Sequence, residues 1–162
     1  MSQSSPGQRL DDVANPGPIR PPLVYLVSIG LGLFAHYFWR AQVLPVTVNV
    51  PIGAALVLLA SALFTSAVRT LRKAGTPVQG NRPTALIVRN GPYGFSRNPI
   101  YLAFTVFQIG LSAWVNSIAV LATLLPALVL MILVVVPREE RYLEVQFPSE
   151  YLRYKRQVRR WL

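Results

Sequence analysis

The amino-acid sequence predicts an all-α fold: an integral membrane bundle of about four transmembrane helices, followed by a C-terminal amphipathic cytoplasmic helix. Three observations lead to this fold class. Hydrophobic residues make up 52% of the 162-residue chain and charged residues only 14%, which is too little charge to cover the surface of a soluble domain of this size. Four apolar runs approach the length of a membrane span. The lysine and arginine residues fall almost entirely on one side of these runs.

The four apolar runs comprise residues 23–39, 46–68, 99–114 and 118–136. An α-helix of about 20 residues crosses the hydrocarbon core of a bilayer. The third run is therefore short for a perpendicular span, and we expect aromatic residues at its ends to supplement it. Residues 115–117 alone separate the third run from the fourth, which predicts a tight helical hairpin. No run alternates with the period of a barrel strand, so a helix bundle is favoured.

A cleaved secretory signal peptide is the alternative interpretation of the first run. The run is longer than a usual signal-peptide core, Asp11 and Asp12 weaken its basic flank, and no A-x-A site follows it. A membrane span is therefore favoured. Residues 1–19 are rich in Ser, Gln, Pro and Gly, which predicts a disordered arm without chemistry. Residues 20–162 then form a single domain.

The distribution of basic residues predicts the orientation of the bundle. If all four runs cross the membrane, every one of the 16 Lys and Arg residues except Arg40 falls on the same side. The positive-inside rule places that side in the cytoplasm. We therefore expect both termini, and the link between the second and third runs, on the cytoplasmic face of a membrane of the bacterial inner-membrane type.

The composition excludes several classes of function. The chain has no cysteine and one histidine, His36, so we expect no metal site and no cysteine nucleophile. A net charge of +10 suits either nucleic acid or an anionic membrane surface. The apolar runs favour the membrane, and no nucleic-acid partner is expected. His36 is the one ionisable residue within the runs and is interpreted as a packing or interface residue, which disfavours a transporter subunit.

Polar residues gather in two segments that flank the predicted hairpin, residues 91–101 and residues 137–144. Polar groups at or within the bilayer mark functional sites in membrane proteins. Because a short hairpin brings its two outer ends together, we expect these two segments to be near neighbours on the cytoplasmic side.

The first segment, GPYGFSRNPIY, predicts a turn at residues 91–92 followed by the start of a helix. Asn98 is a suitable N-cap, and Pro99 suits the first helical position. Amides exposed at a helix start attract a carboxylate or another anion. The same two residues would also serve simply to begin a helix, and both interpretations remain open from the residues alone.

The second segment contains Glu139, Glu140 and Glu144. On a single helix, Glu140 and Glu144 share a face, whereas Glu139 points about 100° away from Glu140. One glutamate can thus face the bundle while another faces water. A solvated charged helix, with Arg138 and Arg141 as ion-pair partners, is the alternative interpretation.

The stretch from residue 147 to residue 162 has the pattern of an amphipathic helix. Tyr151, Tyr154 and Val158 form one face, and basic residues cover much of the rest. We expect this helix to lie on an anionic leaflet, with Trp161 at the membrane interface.

From these motifs, the chain resembles the isoprenylcysteine carboxyl methyltransferase family and its relatives among the membrane phospholipid methyltransferases. The family pattern is a GPY turn, then R-(H/N)-P-x-Y, a hydrophobic hairpin, a glutamate pair and F-G-x-x-Y-x-x-Y. Here it reads GPYGFSRNPIY, then EERYLEVQF, then PSEYLRYKRQV. The resemblance covers residues 83–162 and is specific in order and spacing, whereas the first two runs match only as hydrophobic spans.

The resemblance implies a membrane methyltransferase that uses S-adenosylmethionine and takes a lipophilic acceptor from the bilayer. The residues that it implies for cofactor binding are Ala85, Leu86, Ile87, Val88, Tyr93, Arg97, Asn98, Pro99, Ile100, Tyr101, Glu139 and Glu140. Residues 85–88 would contribute backbone contacts. Arg97 would orient the pocket or meet the cofactor carboxylate, and Glu139 would meet the ribose hydroxyls or the ammonium group. Arg97 and Arg138 are the candidates for orienting the acceptor.

Two departures from the family pattern bear on the chemistry. Asn98 stands where many members have histidine, and an amide cannot titrate, so a general base is excluded at this position. Val135 stands where the prenylcysteine enzymes place an arginine assigned to the acceptor carboxylate. The resemblance implies an isoprenylcysteine-type carboxylate or a similar lipophilic group as the acceptor, and this departure leaves a phospholipid amine and a small lipophilic thiol or acid open as alternatives.

A non-enzymatic membrane protein with a lipid-binding or partner-binding basic tail is the alternative function. It predicts that changes at Tyr93, Asn98, Tyr101 or Glu139 leave the function intact. A soluble dinucleotide-type fold is excluded in practice. Gly30 and Gly32 give a G-x-G within the first run without a strand or a third glycine, and we interpret both as small residues for helix packing.

Overall fold

A computed structural model describes residues 20–76 and 86–162 of the chain. The predicted arm, residues 1–19, and the candidate contact Ala85 lie outside the described residues. Within the described ranges the backbone is helical and contains no β-strand, which confirms the all-α prediction.

The part of the chain that the structure describes contains six α-helices: α1 (Pro21–Phe38), α2 (Asn49–Lys73), α3 (Pro99–Trp114), α4 (Ile118–Leu130), α5 (Val136–Gln146) and α6 (Pro148–Gln157). A 3-10 turn, Gly91–Gly94, precedes α3. A π-helical segment, Met131–Val135, joins α4 to α5, so that the two helices form one continuous rod.

Three of these helical units are long and apolar enough to cross a bilayer: α1, α2 and the α4–α5 rod. α3 is also apolar but has only 16 residues, which gives it a length of about 24 Å against a hydrocarbon core of about 30 Å. The helical membrane bundle is therefore confirmed, and the fourth span stays a prediction.

Two helices extend well beyond the apolar runs that predicted them. α2 continues to Lys73 and carries Arg69 and Arg72 on its last turns, and the α4–α5 rod continues to Gln146. An apolar run marks the part of a helix that suits lipid, whereas the backbone hydrogen bonds continue for as long as the following residues favour a helix. Each polar end therefore prolongs a span out of the apolar layer.

Glycines bring the helices into close contact. A Cβ atom at Gly53 of α2 would overlap the backbone nitrogen of Trp114 of α3, and one at Gly110 would lie 2.8 Å from Cβ of Leu56. Likewise, a Cβ atom at Gly32 of α1 would lie 2.6 Å from Cα of Val120 of α4. Small residues allow such close backbone approach between membrane helices, where apolar burial provides no net drive for association.

A buried polar cluster connects α1, α3 and α4 within the apolar interior. The amide nitrogen of Gln108, a fully buried side chain, donates to Ser28 Oγ at 2.7 Å and to the Val120 carbonyl at 3.0 Å. Ser28 Oγ in turn donates to the carbonyl of Thr123 at 2.8 Å. Hydrogen bonds in an apolar interior need definite partners, so the cluster fixes the relative register of the three helices.

The predicted hairpin between α3 and α4 is present and is anchored to the loop after α1. Asn116 adopts a positive φ of 51°, a conformation that asparagine tolerates better than most residues. Its Oδ1 atom accepts from the backbone nitrogens of Val43 and Leu44, each at 2.9 Å. Ser117 caps α4 by accepting from the nitrogen of Val120 at 3.3 Å. The turn therefore holds α3 and α4 side by side.

The π-helical segment ends two residues before Pro137, which has no N–H to donate to the preceding turn. A π turn contains one more residue than an α turn, so it rotates the residues that follow it around the rod. The segment therefore helps to decide which side of α5 carries Glu139 and which carries Glu140.

The close contact at Gly32 yields a test of the bundle. We expect Gly32→Ala to destabilise the protein by about 1–3 kcal/mol because the added methyl group overlaps the α4 backbone, which would lower the thermal midpoint in detergent by roughly 3–10 °C. Gly30→Ala is the matched control, since nothing lies within 4 Å of a Cβ atom at that position. Equal midpoints for the two variants would contradict the helix packing described.

Candidate functional site

The two polar segments meet, as the hairpin predicts. Tyr101 Oη, on the first turn of α3, donates a hydrogen bond of 2.5 Å to Glu139 Oε1 on α5. One position before α3's N-cap, Arg97 Nη1 lies 3.0 Å from Glu140 Oε1. The juxtaposition of the RNPxY motif and the glutamate pair is therefore confirmed, and it creates a partly buried polar site at one end of the apolar bundle.

The GPY turn is seated against α2. Gly91 has a φ of +59°, which suits glycine, and a Cβ atom there would lie 3.0 Å from Oγ1 of Thr70. The ring of Tyr93 is buried with Ala67 of α2 and with Val88. Of the residues predicted to lend backbone contacts, Val88 and Ile87 thus pack inside the protein, whereas Leu86 is exposed.

α3 begins at Asn98–Pro99 as predicted, but the Asn98 side chain does not cap it. Asn98 occupies the N-cap position without a side-chain cap hydrogen bond, and its Nδ2 atom donates instead to the carbonyl of Arg160 at 2.9 Å. Pro99 has no N–H, so Ile100 and Tyr101 supply the first amides of the helix that lack an intrahelical acceptor. These amides, with the positive end of the helix dipole, favour an anion at this point.

The glutamate pair divides between two environments. Glu139 is partly exposed, and its Oε1 atom accepts the hydrogen bond from Tyr101. Glu140 is buried, and both of its oxygens are engaged: Oε1 by Arg97 and by Nε of Arg160 at 3.0 Å, and Oε2 by Nη2 of Arg160 at 2.6 Å. The paired, fork-like contact with Arg160 is the strong form of an arginine–carboxylate interaction. It raises the pKa of Arg160, which therefore stays charged.

Arg97 lies at the centre of the polar site. Its side chain is 9% exposed and reaches Tyr151 Oη at 3.4 Å in addition to Glu140. Its Nε atom is buried without a hydrogen-bond partner in the described structure. A buried guanidinium nitrogen without a partner is costly, so this donor is available to a ligand that carries an anionic oxygen.

The apolar face of α6 packs on the protein itself and is not free to enter lipid, whereas the position of this helix on an anionic leaflet stays a prediction. Tyr151, Tyr154 and Val158 are buried as a cluster. The partners of this cluster are Ile87, Leu143 and Phe147. Tyr154 Oη donates to the carbonyl of Tyr93 at 2.7 Å, and burial raises the pKa of Tyr151 to about 12. The periodicity correctly predicted which residues form the apolar face of α6. Neighbouring residues of the protein, rather than lipid, cover that face.

Arg138, one of the two candidates for orienting an acceptor, is exposed on α5 and has no ion pair among those found in the described ranges. The structure therefore brings Arg97 into the site and leaves Arg138 at its outside. Glu144 also lies apart, in a surface ion pair with Lys155 at 2.6 Å.

Two residues at the site were not found from the sequence. Arg160 was one of several similar basic residues in the last stretch, and no local signal distinguished it. Tyr25 of α1 shares a hydrogen bond of 2.9 Å with Thr105 of α3 and lies 3.4 Å from the carbonyl of Tyr101. A buried tyrosine in an otherwise apolar span, which needs a partner for its hydroxyl, was the available signal for Tyr25.

The described residues include no group of three or more His, Cys, Asp or Glu side chains that could hold a metal ion. An open depression is present on the outer face of α2, lined in part by Thr65, Arg69 and Lys73. It includes none of the residues predicted to bind the cofactor. The polar chemistry of the predicted site therefore resides at the contact between α3, α5 and the residues that follow α6.

Curated relatives match parts of the chain. The cobalt-zinc-cadmium resistance protein CzcN of Cupriavidus metallidurans is 37% identical over 77 residues, which are 48% of this chain and 35% of CzcN. The chain therefore spans about a third of that relative. An uncharacterised protein of Haemophilus influenzae is 41% identical over 68 residues, which are 39% of this chain and the whole of that protein.

A family match covers more of the sequence. Residues 48–150 match the phospholipid methyltransferase family. The matched range includes α2, the GPY turn, the α3–α4 hairpin and the glutamate pair, but not Tyr151 or Arg160 of the polar site described above. The chain therefore belongs to the phospholipid methyltransferase family, as an integral membrane protein.

Proposed function

We propose that this protein is an S-adenosylmethionine-dependent methyltransferase that acts within the membrane on a lipophilic acceptor. The observation that carries the proposal is the contact between Tyr101 and Glu139 at the uncapped start of α3. It places a carboxylate, tyrosine hydroxyls and free helix amides together beside the apolar layer, in a chain of a methyltransferase family.

The residues at the site fit the charges of this cofactor. S-adenosylmethionine, when bound, supplies an electrophilic methyl group on a cationic sulfonium, next to an amino-acid ammonium and carboxylate. Glu139 and the rings of Tyr93 and Tyr101 suit the cationic groups. The buried Nε atom of Arg97, which lacks a partner, and the first amides of α3 suit the carboxylate.

The contribution of the chain itself is alignment and exclusion of water, which in-line methyl transfer needs most. Glu139 fixes the direction of the Tyr101 hydroxyl through their short hydrogen bond. Tyr101 also packs against the buried cluster that contains Tyr25 and Val135. This cluster forms an apolar wall next to the polar groups. Such a wall suits the hydrophobic part of an acceptor that arrives from the bilayer.

The surroundings of Val135 favour a lipophilic amine over a prenylated carboxylate as the acceptor. Val135 is 5% exposed within an apolar cluster, so the position of the acceptor arginine in prenylcysteine enzymes offers no cation here. Arg138, one turn away, is exposed. A carboxylate acceptor would thus approach the site without a countercharge from this helix, whereas a phospholipid amine needs none.

The distribution of basic residues supports a site that opens to the cytoplasm. Arg97 and the basic residues around α6 lie at the same end of the bundle as Tyr101 and Glu139, and the positive-inside rule puts that end in the cytoplasm. The cofactor would then enter from the cytoplasm, and the acceptor would enter laterally from the lipid.

Cofactor binding is tested by calorimetric titration of detergent-purified protein with S-adenosylhomocysteine. We expect saturable binding, and we expect Glu139→Ala to weaken it about 10-fold or more, because a hydrogen bond to a charged group contributes roughly 1.5–3 kcal/mol. Glu144→Ala is the matched control, since Glu144 pairs with Lys155 at the surface. Wild-type affinity in both variants would remove Glu139 from the site. Absence of binding to folded wild-type protein would favour the non-enzymatic alternative.

The acceptor is tested by incubating the protein with methyl-labelled S-adenosylmethionine in two kinds of lipid vesicle. One contains phosphatidylethanolamine and the other contains N-acetyl-S-farnesylcysteine as the carboxylate acceptor. We expect label in the amine lipid. Label confined to the farnesylcysteine ester would overturn the choice of an amine and retain the methyltransferase.

Orientation is tested with single cysteines, since the chain has none of its own. Gln42, in the loop after α1, and Arg156, on α6, are both exposed. We expect a membrane-impermeant maleimide to label Gln42→Cys in intact cells and to label Arg156→Cys only after permeabilisation. The reverse pattern would contradict a cytoplasmic site.

A further inference from the structure

The residues that follow α6 lie against the start of α3. We call residues 158–162 the strap. The backbone nitrogen of Arg97 donates to the carbonyl of Arg159 at 3.0 Å, and Nδ2 of Asn98 donates to the carbonyl of Arg160 at 2.9 Å. Two consecutive residues of the RNPxY motif are therefore bonded to two consecutive carbonyls of the strap.

A single side chain of the strap secures it to α5. Arg160 donates to both oxygens of Glu140, at 3.0 and 2.6 Å, and Glu140 also binds Arg97 at 3.0 Å. Glu140 is only 6% exposed, whereas the Arg160 side chain is 38% exposed. Glu140 thus joins three parts of the structure, namely α5, the segment before α3 and the strap, and Arg160 closes this network from the outside.

We propose that the strap forms one wall of the candidate cofactor site and that Arg160 is the positioning residue that holds the wall in place through Glu140. The inference deepens the proposed function and rests on it. Neither Arg160 nor the strap belongs to the motifs by which the cofactor site was predicted.

The contacts of the strap indicate different roles for residues of the RNPxY motif and of the glutamate pair. Asn98 and Glu140 direct their side chains to the strap and to the arginines, so they act by positioning. Glu139 keeps one oxygen outside the bond to Tyr101, and Arg97 keeps its buried Nε atom without a protein partner. These last two residues, with Tyr101, are left to contact the cofactor directly.

The test compares three variants of the full chain, Arg160→Ala, Arg160→Lys and Arg156→Ala. Arg156→Ala is the matched control, because it removes the same charge from an exposed position on α6 that lies outside the strap. Each variant also carries Leu162→Cys, at a position that is 70% exposed, with a nitroxide label. Affinity for S-adenosylhomocysteine is measured by calorimetry. The mobility of the nitroxide is measured in the absence of ligand by electron paramagnetic resonance.

We expect Arg160→Ala to lose affinity about 10-fold or more, with increased mobility of the label and a thermal midpoint close to that of Arg156→Ala. Arg160→Lys should partly restore both the affinity and the low mobility of the label, because an ammonium group keeps the charge but cannot make the paired contact. Arg156→Ala should match the labelled parent protein.

Two results would overturn the inference and leave the proposed function standing. One is an Arg160→Ala variant that equals Arg156→Ala in affinity and mobility. The other is increased mobility with unchanged affinity, which would show that Arg160 holds a strap that is not a wall of the site. Binding by the labelled parent protein distinguishes these results from failure of the proposed function, since a labelled parent protein without any binding would overturn both.

Discussion

The structure depends on the tight turn between α3 and α4. Asn116 bonds this turn to the loop after α1, and Ser117 caps α4, so α3 and the α4–α5 rod must run side by side. Their opposite ends then have to meet, and the chain places Tyr101 on one and Glu139 on the other. The polar site is therefore a consequence of the hairpin, because the turn at one end of α3 and α4 brings the start of α3 next to the end of the rod.

Within lipid, such an arrangement cannot rely on the hydrophobic effect, because the surrounding acyl chains are as apolar as the helices. Two other interactions replace it here. Glycines at positions 32, 53 and 110 let the backbones approach closely. Gln108 and Ser28 form hydrogen bonds for which the apolar interior offers few alternatives. Both interactions are short-ranged, and the hydrogen bonds are also directional, so the bundle has little freedom to change its register near the site.

Periodicity and spacing predicted the helices, the hairpin and the meeting of the two polar segments, because each follows from local chain geometry. They did not predict which surface covers a given face. The tyrosines of α6 were correctly placed on one face but contact Ile87 and Leu143 rather than lipid. Asn98 sits at the start of α3 as expected, yet bonds to the carbonyl of Arg160, and of the paired glycines in α1 only Gly32 packs closely. Long-range partners of this kind are set by the whole bundle, not by neighbouring residues.

The short length of α3 has a further consequence for the lipid around it. If α3 forms the predicted fourth span, its 16 residues leave about 6 Å of the hydrocarbon thickness unmatched. The membrane meets such a mismatch by thinning beside the short helix. Headgroups next to α3 would then be drawn inward, towards the depth of Tyr101. The distance that a lipid headgroup must travel to reach the site would thus be reduced by the bilayer itself, without movement of any side chain.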